Sequence, residues 1–220
     1  MKKIYLLLCL LAFVTVKAQV AYPEIPEEPQ PPQVQRDTTQ EPEKEHIIQD
    51  YIRLYYISPS GVGDNVLAKA NDGQGGIGLG VNFYNFEKVN VAIIGGLEVS
   101  TYKITDVAKA ANGSRTIVTS AYLGGEYKLK IGHYFSINPS LCYTPSKMTQ
   151  RERDKKLGTY HGNGIRAGLT FDYAVIPNIK LFAGANVTHS WYDVNTAPQY
   201  EEYYRKVSTL NIMAGIKIAF

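Results

Sequence analysis

The sequence predicts an all-β protein, an eight-stranded antiparallel transmembrane up-and-down β-barrel behind a disordered N-terminal extension. Three observations carry this expectation. Residues 48–220 hold eight segments in which apolar and other residues alternate with a period of two, and each is near or above the 9–11 residues that a tilted strand needs to cross a bilayer. The connections between them alternate between short and long, as they do where tight turns close one end of a barrel and loops the other. The apolar faces of neighbouring strands also fall on mutually consistent parities. No segment shows sustained apolar residues at helical spacing.

The chain opens with Lys2 and Lys3, an apolar run from Ile4 to Val16, and Val16-Lys17-Ala18 as a cleavage signal before Gln19. Residues 1–18 therefore read as a secretory signal, too short for a spanning helix. Cys9 lies inside the apolar run, where a lipid-attachment cysteine does not belong. Cleavage removes Lys2, Lys3 and Lys17 from 23 basic residues, so bases and acids balance at 20 and nothing points to nucleic acid. Only Cys142 remains, which excludes an intramolecular disulfide. Residues 19–47 hold six of the eleven prolines and many Glu and Gln, with little to bury. They are expected to form a disordered linker, either a plain spacer or a docking segment for a periplasmic partner.

From there the expected strands are Ile48–Ser58, Gly76–Tyr84, Val91–Lys103, Thr116–Lys130, Tyr134–Thr144, Gly164–Val175, Ile179–Tyr192 and Val207–Phe220. Short connections lie at Phe86–Asn90, Ile131–His133 and Ile176–Asn178. Long ones lie at Pro59–Gly75, Thr105–Arg115, Pro145–Asn163 and Asp193–Lys206. The parity argument is clearest in strands six and seven. Ile165, Ala167, Leu169 and Phe171 face one way, and Ile179, Leu181, Ala183 and Val187 must join them, so the hairpin needs an odd-length turn. Ile176-Pro177-Asn178 supplies three residues with turn chemistry.

The opposite face is polar and rich in glycine, leaving room in a narrow lumen for Arg53, Tyr84, Tyr102, Tyr122, Arg166 and Tyr192. Its charges are Arg53, Lys128, Arg166, Lys180 and Lys217 against Glu98, Glu126 and Asp172. Charges held away from water must pair. The expectation is a salt-bridged plug, with a gated narrow pore for small solutes as the alternative.

The last strand, Leu210-Asn-Ile-Met-Ala-Gly-Ile-Lys-Ile-Ala-Phe220, alternates strictly and stops on an aromatic residue. It resembles the closing strand of the small outer-membrane β-barrels of Gram-negative bacteria, the OmpA/OmpX-like, porin-like family. That resemblance implies that Phe220 is an assembly signal for the barrel assembly machinery and that the protein resides in the outer membrane with its termini in the periplasm. It also implies a non-enzymatic role in envelope integrity or adhesion, with no cofactor. Strand eight should close onto strand one, because an open edge cannot persist in hydrocarbon.

Two further features bear on partners. Lys147, Arg151, Arg153, Lys155 and Lys156 against Glu152 and Asp154 make the third external loop basic, a candidate contact for lipopolysaccharide phosphates. His189 and Ser190 raise a second alternative, a lipid A-modifying enzyme. Adjacent strand residues point to opposite faces, however, and a nucleophile must share a face with its base. The four histidines show no metal-ligand spacing, and Gly73–Gly80 leads into a strand rather than a helix, which excludes a phosphate-cradling loop.

Overall fold

A computed structural model describes residues 50–220 except 108, 111, 112, 133, 196 and 197, with the backbone alone for 198–200. The expected signal (1–18), the linker (19–47) and the start of strand one, Ile48 and Gln49, lie outside the described residues.

The alternating segments form β1 (Tyr51–Val62), β2 (Asn71–Phe86), β3 (Val91–Ile104), β4 (Arg115–Tyr127), β5 (Leu129–Ile131), β6 (Phe135–Glu152), β7 (Lys155–Ile176), β8 (Ile179–Asp193) and β9 (Lys206–Ala219). β4 and β5 are one strand interrupted at Lys128, so the ring has eight staves, all antiparallel. β9 pairs with β1 from Tyr51–Ala219 to Val62–Ser208, which closes the barrel and removes both edges as expected. The polarity is inverted relative to a water-soluble domain. Ile77, Leu79, Leu97, Leu123, Leu141, Ile165, Leu181 and Ile212 are exposed on the outer wall, while Arg53, Glu98, Glu126, Arg166 and Lys217 are buried inside. Such a surface suits hydrocarbon.

Two prolines explain where β4 loses its partner. The interruption at Lys128 falls opposite Asn138–Pro139, and the β4–β6 pairing also lapses between Ser120–Ser146 and Leu123–Tyr143, around Pro145. Proline has no N–H to give the ladder, and Pro139 and Pro145, six apart, fail on the same side.

Turn length and bulges obey one parity rule. β5 and β6 are joined by the odd connection 132–134 and keep an unbroken register from Leu129–Ile137 to Ile131–Phe135. The other three tight hairpins have even connections, and each carries a register shift close by. Ile176 pairs with Ile179 across only Pro177-Asn178, and a shift between Ala174 and Ile176 restores the facing of Leu181. The three-residue turn expected there is thus two residues plus a bulge. β2 and β3 are joined by Glu87–Asn90, a 3-10 turn ending with Asn90 in the left-handed region at φ 54°, and Phe83 is bulged out of register. The extra residue turns Tyr84 around. Expected in the lumen, it is instead exposed on the outer wall, its ring 4.8 Å from that of Phe86.

The loop end differs most from expectation. Pro145–Asn163 is not a loop: β6 and β7 run on through it as a paired hairpin that turns at Arg153-Asp154. Alternation continues there, with Met148 and Gln150 fully buried, but its outer face is polar, so it lacks the apolar signature of a membrane stave. The first long connection contains the helix α1 (Val66–Lys69) and the start of β2, and the fourth contains the helix α2 (Pro198–Arg205).

Candidate functional site

The lumen is built in three layers. Nearest the start of β1 and the end of β9, Glu126 is fully buried and collects three cations. Lys128 Nζ is in direct contact with its carboxylate, Arg53 Nη1 lies at 3.4 Å and Lys217 Nζ at 3.7 Å. Tyr51 OH donates to the same carboxylate at 2.8 Å, and its ring lies under Lys128 and Lys217, at 4.4 and 4.8 Å from their ammonium nitrogens. Lys217 Nζ also donates to Asp172 Oδ2 at 2.8 Å.

The middle layer is centred on Glu98 and Tyr122. Arg166 Nη1 and Tyr55 OH donate to Glu98 Oε1 at 2.6 and 2.7 Å. Tyr122 OH accepts from Arg53 Nη2 at 2.9 Å, and its ring is covered by the guanidinium of Arg166 at 4.5 Å. Glycine makes this packing feasible: a Cβ on Gly96 would lie 2.4 Å from Tyr122 OH, and one on Gly78 would lie 2.2 Å from the Tyr55 ring. Pairing of this quality is what allows charges to remain in a water-poor interior.

Towards the loop end lies a chamber of about 30 Å³, floored by Glu98 and walled by hydroxyl groups including Ser120, Thr144, Thr188 and Thr209. Thr144 Oγ1 and Asn211 Oδ1 are buried there without a protein partner among the described residues, so the space is polar and large enough for water. Above it, α1 turns Val66 and Leu67 inwards, where they are fully buried against Tyr102, Met148, Tyr192, Tyr204 and Val207. This is an apolar stopper. Asn65 caps α1, accepting from Leu67 N at 3.0 Å and Ala68 N at 3.1 Å while its Nδ2 donates to Val62 O at 2.7 Å. A Cβ on Gly61 would come within 2.3 Å of the Leu67 carbonyl carbon, so the helix sits directly on β1. Asn71 donates to Val66 O at 2.8 Å and accepts from Thr116 Oγ1 at 2.7 Å, which ties the stopper to the wall.

The structure brings together Arg53, Glu98, Glu126, Lys128, Arg166, Asp172 and Lys217. Lys180 shares the inward face but is only half-buried, and Lys217 takes the partnership with Asp172. The hydrogen-bonding roles of Tyr51 and Tyr55, and the stopper, are additions. Tyr51 and Tyr55 share the odd parity of Arg53, which would have revealed them; Asn65 before an apolar pair was the only sign of α1.

The basic residues separate. Lys147 is exposed low on the outer wall of β6, opposite Thr119 and His161, while Arg153 and Lys155 stand at the hairpin turn. Ser190 is buried in the lumen and Ser208, across the β8–β9 register, is the partner of His189, with Nδ1 and Oγ 2.7 Å apart. The His189 ring meets Trp191 edge-on at 4.6 Å. Among the described residues no carboxylate bonds His189, so the third group that orients a catalytic base is missing from this pair.

Closed ring, apolar wall and filled polar lumen define the fold of the small outer-membrane β-barrels. Solved structures similar to this chain include barrels of that kind. Neisserial surface protein A (NspA) superposes with a TM-score of 0.56 at 16% identity, covering 78% of this chain and 97% of that one. Ail, the attachment invasion locus protein of Yersinia pestis, gives 0.47 at 17% identity over 78% and 100% of the two chains. The N-terminal barrel domain of Pseudomonas aeruginosa OprF gives 0.42 at 13% identity over 77% and 98%. At such identities the likeness is one of fold. No family model and no curated protein matches the sequence.

Proposed function

We propose that this chain is a non-enzymatic outer-membrane barrel, sealed through its lumen, which contributes to envelope integrity or surface interaction through its outer surface. The observation that carries this reading is the double closure: an apolar stopper at the loop end and, beneath it, a layer in which each buried carboxylate holds at least one cation. Both termini then lie in the periplasm, and the exposed Phe220, which donates its N–H to Asp50 O at 3.0 Å, is available to the barrel assembly machinery before closure. A gated narrow pore would need the stopper and the charge layer to open together.

Planar-bilayer recording tests the seals in series. The native barrel should be silent. Replacing Val66–Lys69 with Gly-Ser-Gly-Ser should admit a small thiol reagent to a Ser146→Cys chamber mutant, yet leave the barrel silent, because Arg166 and Glu98 still fill the lumen. Adding Arg166→Ala and Glu98→Ala, together with Arg53→Ala and Glu126→Ala in the layer below, should then produce a conducting state. A reproducible open level in the native protein would overturn the sealed reading.

A further inference from the structure

We infer that the end of the lumen where β1 starts and β9 ends is a docking cup for an acidic peptide segment of a periplasmic partner, formed by Lys128, Lys130, Lys180 and Lys217. The inference rests on the proposed outer-membrane placement, with this end in the periplasm, and gives the barrel a second contact surface besides its outer wall.

The four lysines share the inward face. Lys180 stands directly opposite Lys217, which stands opposite Arg53, so three cations lie side by side across β8, β9 and β1. Lys130 approaches from another part of the wall, opposite Ser136, which is itself opposite Asp172. Exposure rises towards the rim: Lys217 is 1% and Lys128 9% exposed, Lys180 is half-buried and Lys130 is exposed. The cup is therefore open at its rim and blocked at its base, where Tyr51, Glu126 and Phe182 are buried.

Its charges do not balance. Arg53, Lys128, Lys130, Lys180 and Lys217 oppose only Glu126 and Asp172, five positive charges against two negative. The deep cations are met: Arg53 and Lys128 by Glu126, and Lys217 by Asp172 and by the rings of Tyr51 and Phe182. Lys180 forms no ion pair among the described residues. The charges around it are Asp172, already held by Lys217, and the two lysines Lys217 and Lys130. Asp172 Oδ1 is buried without a protein partner among the described residues, but a lysine turned onto it leaves the same excess of positive charge. The nearby acids are engaged elsewhere: Asp50 Oδ1 accepts from Asn85 Nδ2 at 2.6 Å, and Glu87 sits beside Lys88 in the β2–β3 turn. Like charges directly opposite on a sheet repel, so an anion entering the cup relieves a standing cost.

The spacing selects the ligand. Lysine is a point charge without the planar fork that grips one phosphate or carboxylate from two sides. Lys130 and Lys180 are three inter-strand steps apart, about 14 Å along the wall. A single compact anion does not span them. Carboxylates two to four residues apart on an extended chain are about 7–14 Å apart and do. A lipid headgroup has no access, because these lysines face the lumen and not the outer wall. The filled layer above stops the segment, so it docks without passing through.

The test uses the full chain in phosphatidylcholine nanodiscs, which leave both barrel ends open to solvent, with a fluorescent oligoglutamate peptide read by anisotropy. The native protein should bind the peptide, and added salt should release it. Lys130→Gln with Lys180→Gln should bind roughly tenfold more weakly, the scale of two exposed ion pairs, while keeping the native heat-modifiable gel mobility. Lys130→Arg with Lys180→Arg should bind as the native chain does, and so should Lys147→Gln with Lys155→Gln at the opposite end. No binding by the native chain, undiminished binding by the Lys130/Lys180 glutamine pair, or an equal loss in the opposite-end pair would each overturn the cup while leaving the barrel standing. Displacement by inorganic phosphate as effective as by unlabelled peptide at equal charge would overturn the peptide as its occupant. Failure of the native chain to insert into nanodiscs would overturn the barrel reading, and the cup with it.

Discussion

The two halves of the lumen are filled by different chemistry from one continuous wall. Towards the start of β1 and the end of β9, side chains of the staves reach inwards and satisfy one another: Glu126 among three cations, Lys217 on Asp172, Tyr51 between two ammonium groups. Towards the loops the staves offer small hydroxyl residues and leave a chamber, and closure comes from outside the wall, from α1 with Val66 and Leu67. The first half is closed by its own strands and the second by an insert. A barrel can therefore keep a charged interior at one end and an apolar seal at the other, because each end solves its desolvation problem locally. The two should fail differently when perturbed.

The largest effect is expected at Glu126. Glu126→Ala leaves Arg53, Lys128 and Lys217 around a missing carboxylate, and an uncompensated buried charge costs about 3–5 kcal/mol. Urea unfolding of the reconstituted barrel should show a loss of this size. Adding Lys128→Met should recover part of it, since one stranded ammonium is removed. A loss below about 1 kcal/mol, the scale of exposed ion pairs, would show that water reaches this layer and that it is not a sealed interior.

Leu67→Ala should cost less, about 2–3 kcal/mol. Leucine truncations in a core reach about 5, but Leu67 already borders the chamber and so gives up fewer packing contacts. The same substitution should speed labelling of a chamber cysteine without changing labelling near Glu126. Equal changes at both depths would mean that the two halves open as one unit.

The terminal half was legible in the sequence because period two and parity decide everything there. Arg53, Glu98, Glu126, Arg166 and Lys217 could be assigned inwards from the apolar residues beside them, and closure of the last strand onto the first followed from the cost of a free edge. Tyr84 shows the limit. Its parity was correct for an unbroken strand, but Glu87–Asn90 is an even connection, and the bulge that compensates at Phe83 leaves no mark in the composition. The loop half was obscure for another reason. Outside the membrane a stave can be polar on its outward face, so the β6–β7 hairpin passes for a loop. A four-residue helix is too short for periodicity to register, and its burial depends on Tyr102, Met148 and Val207 from distant strands.

Asn65→Ala separates the placing of the stopper from its packing, and its effect should be the smallest, about 1 kcal/mol. The side chain satisfies two helix N–H groups as an acceptor and fixes the preceding turn as a donor to Val62 O. Asn65→Asp keeps the acceptor and loses the donor, so it should recover part of the loss; Asn65→Leu should recover none. Because Leu67 remains in place, chamber labelling should rise less than in Leu67→Ala. A cap deletion that opens the chamber as fully as the leucine truncation would mean that α1 is held by its N-terminus rather than by its apolar face. The seal would then be a hinged flap and no longer a packed plug, and the contrast between the two halves would become one of mobility as well as chemistry.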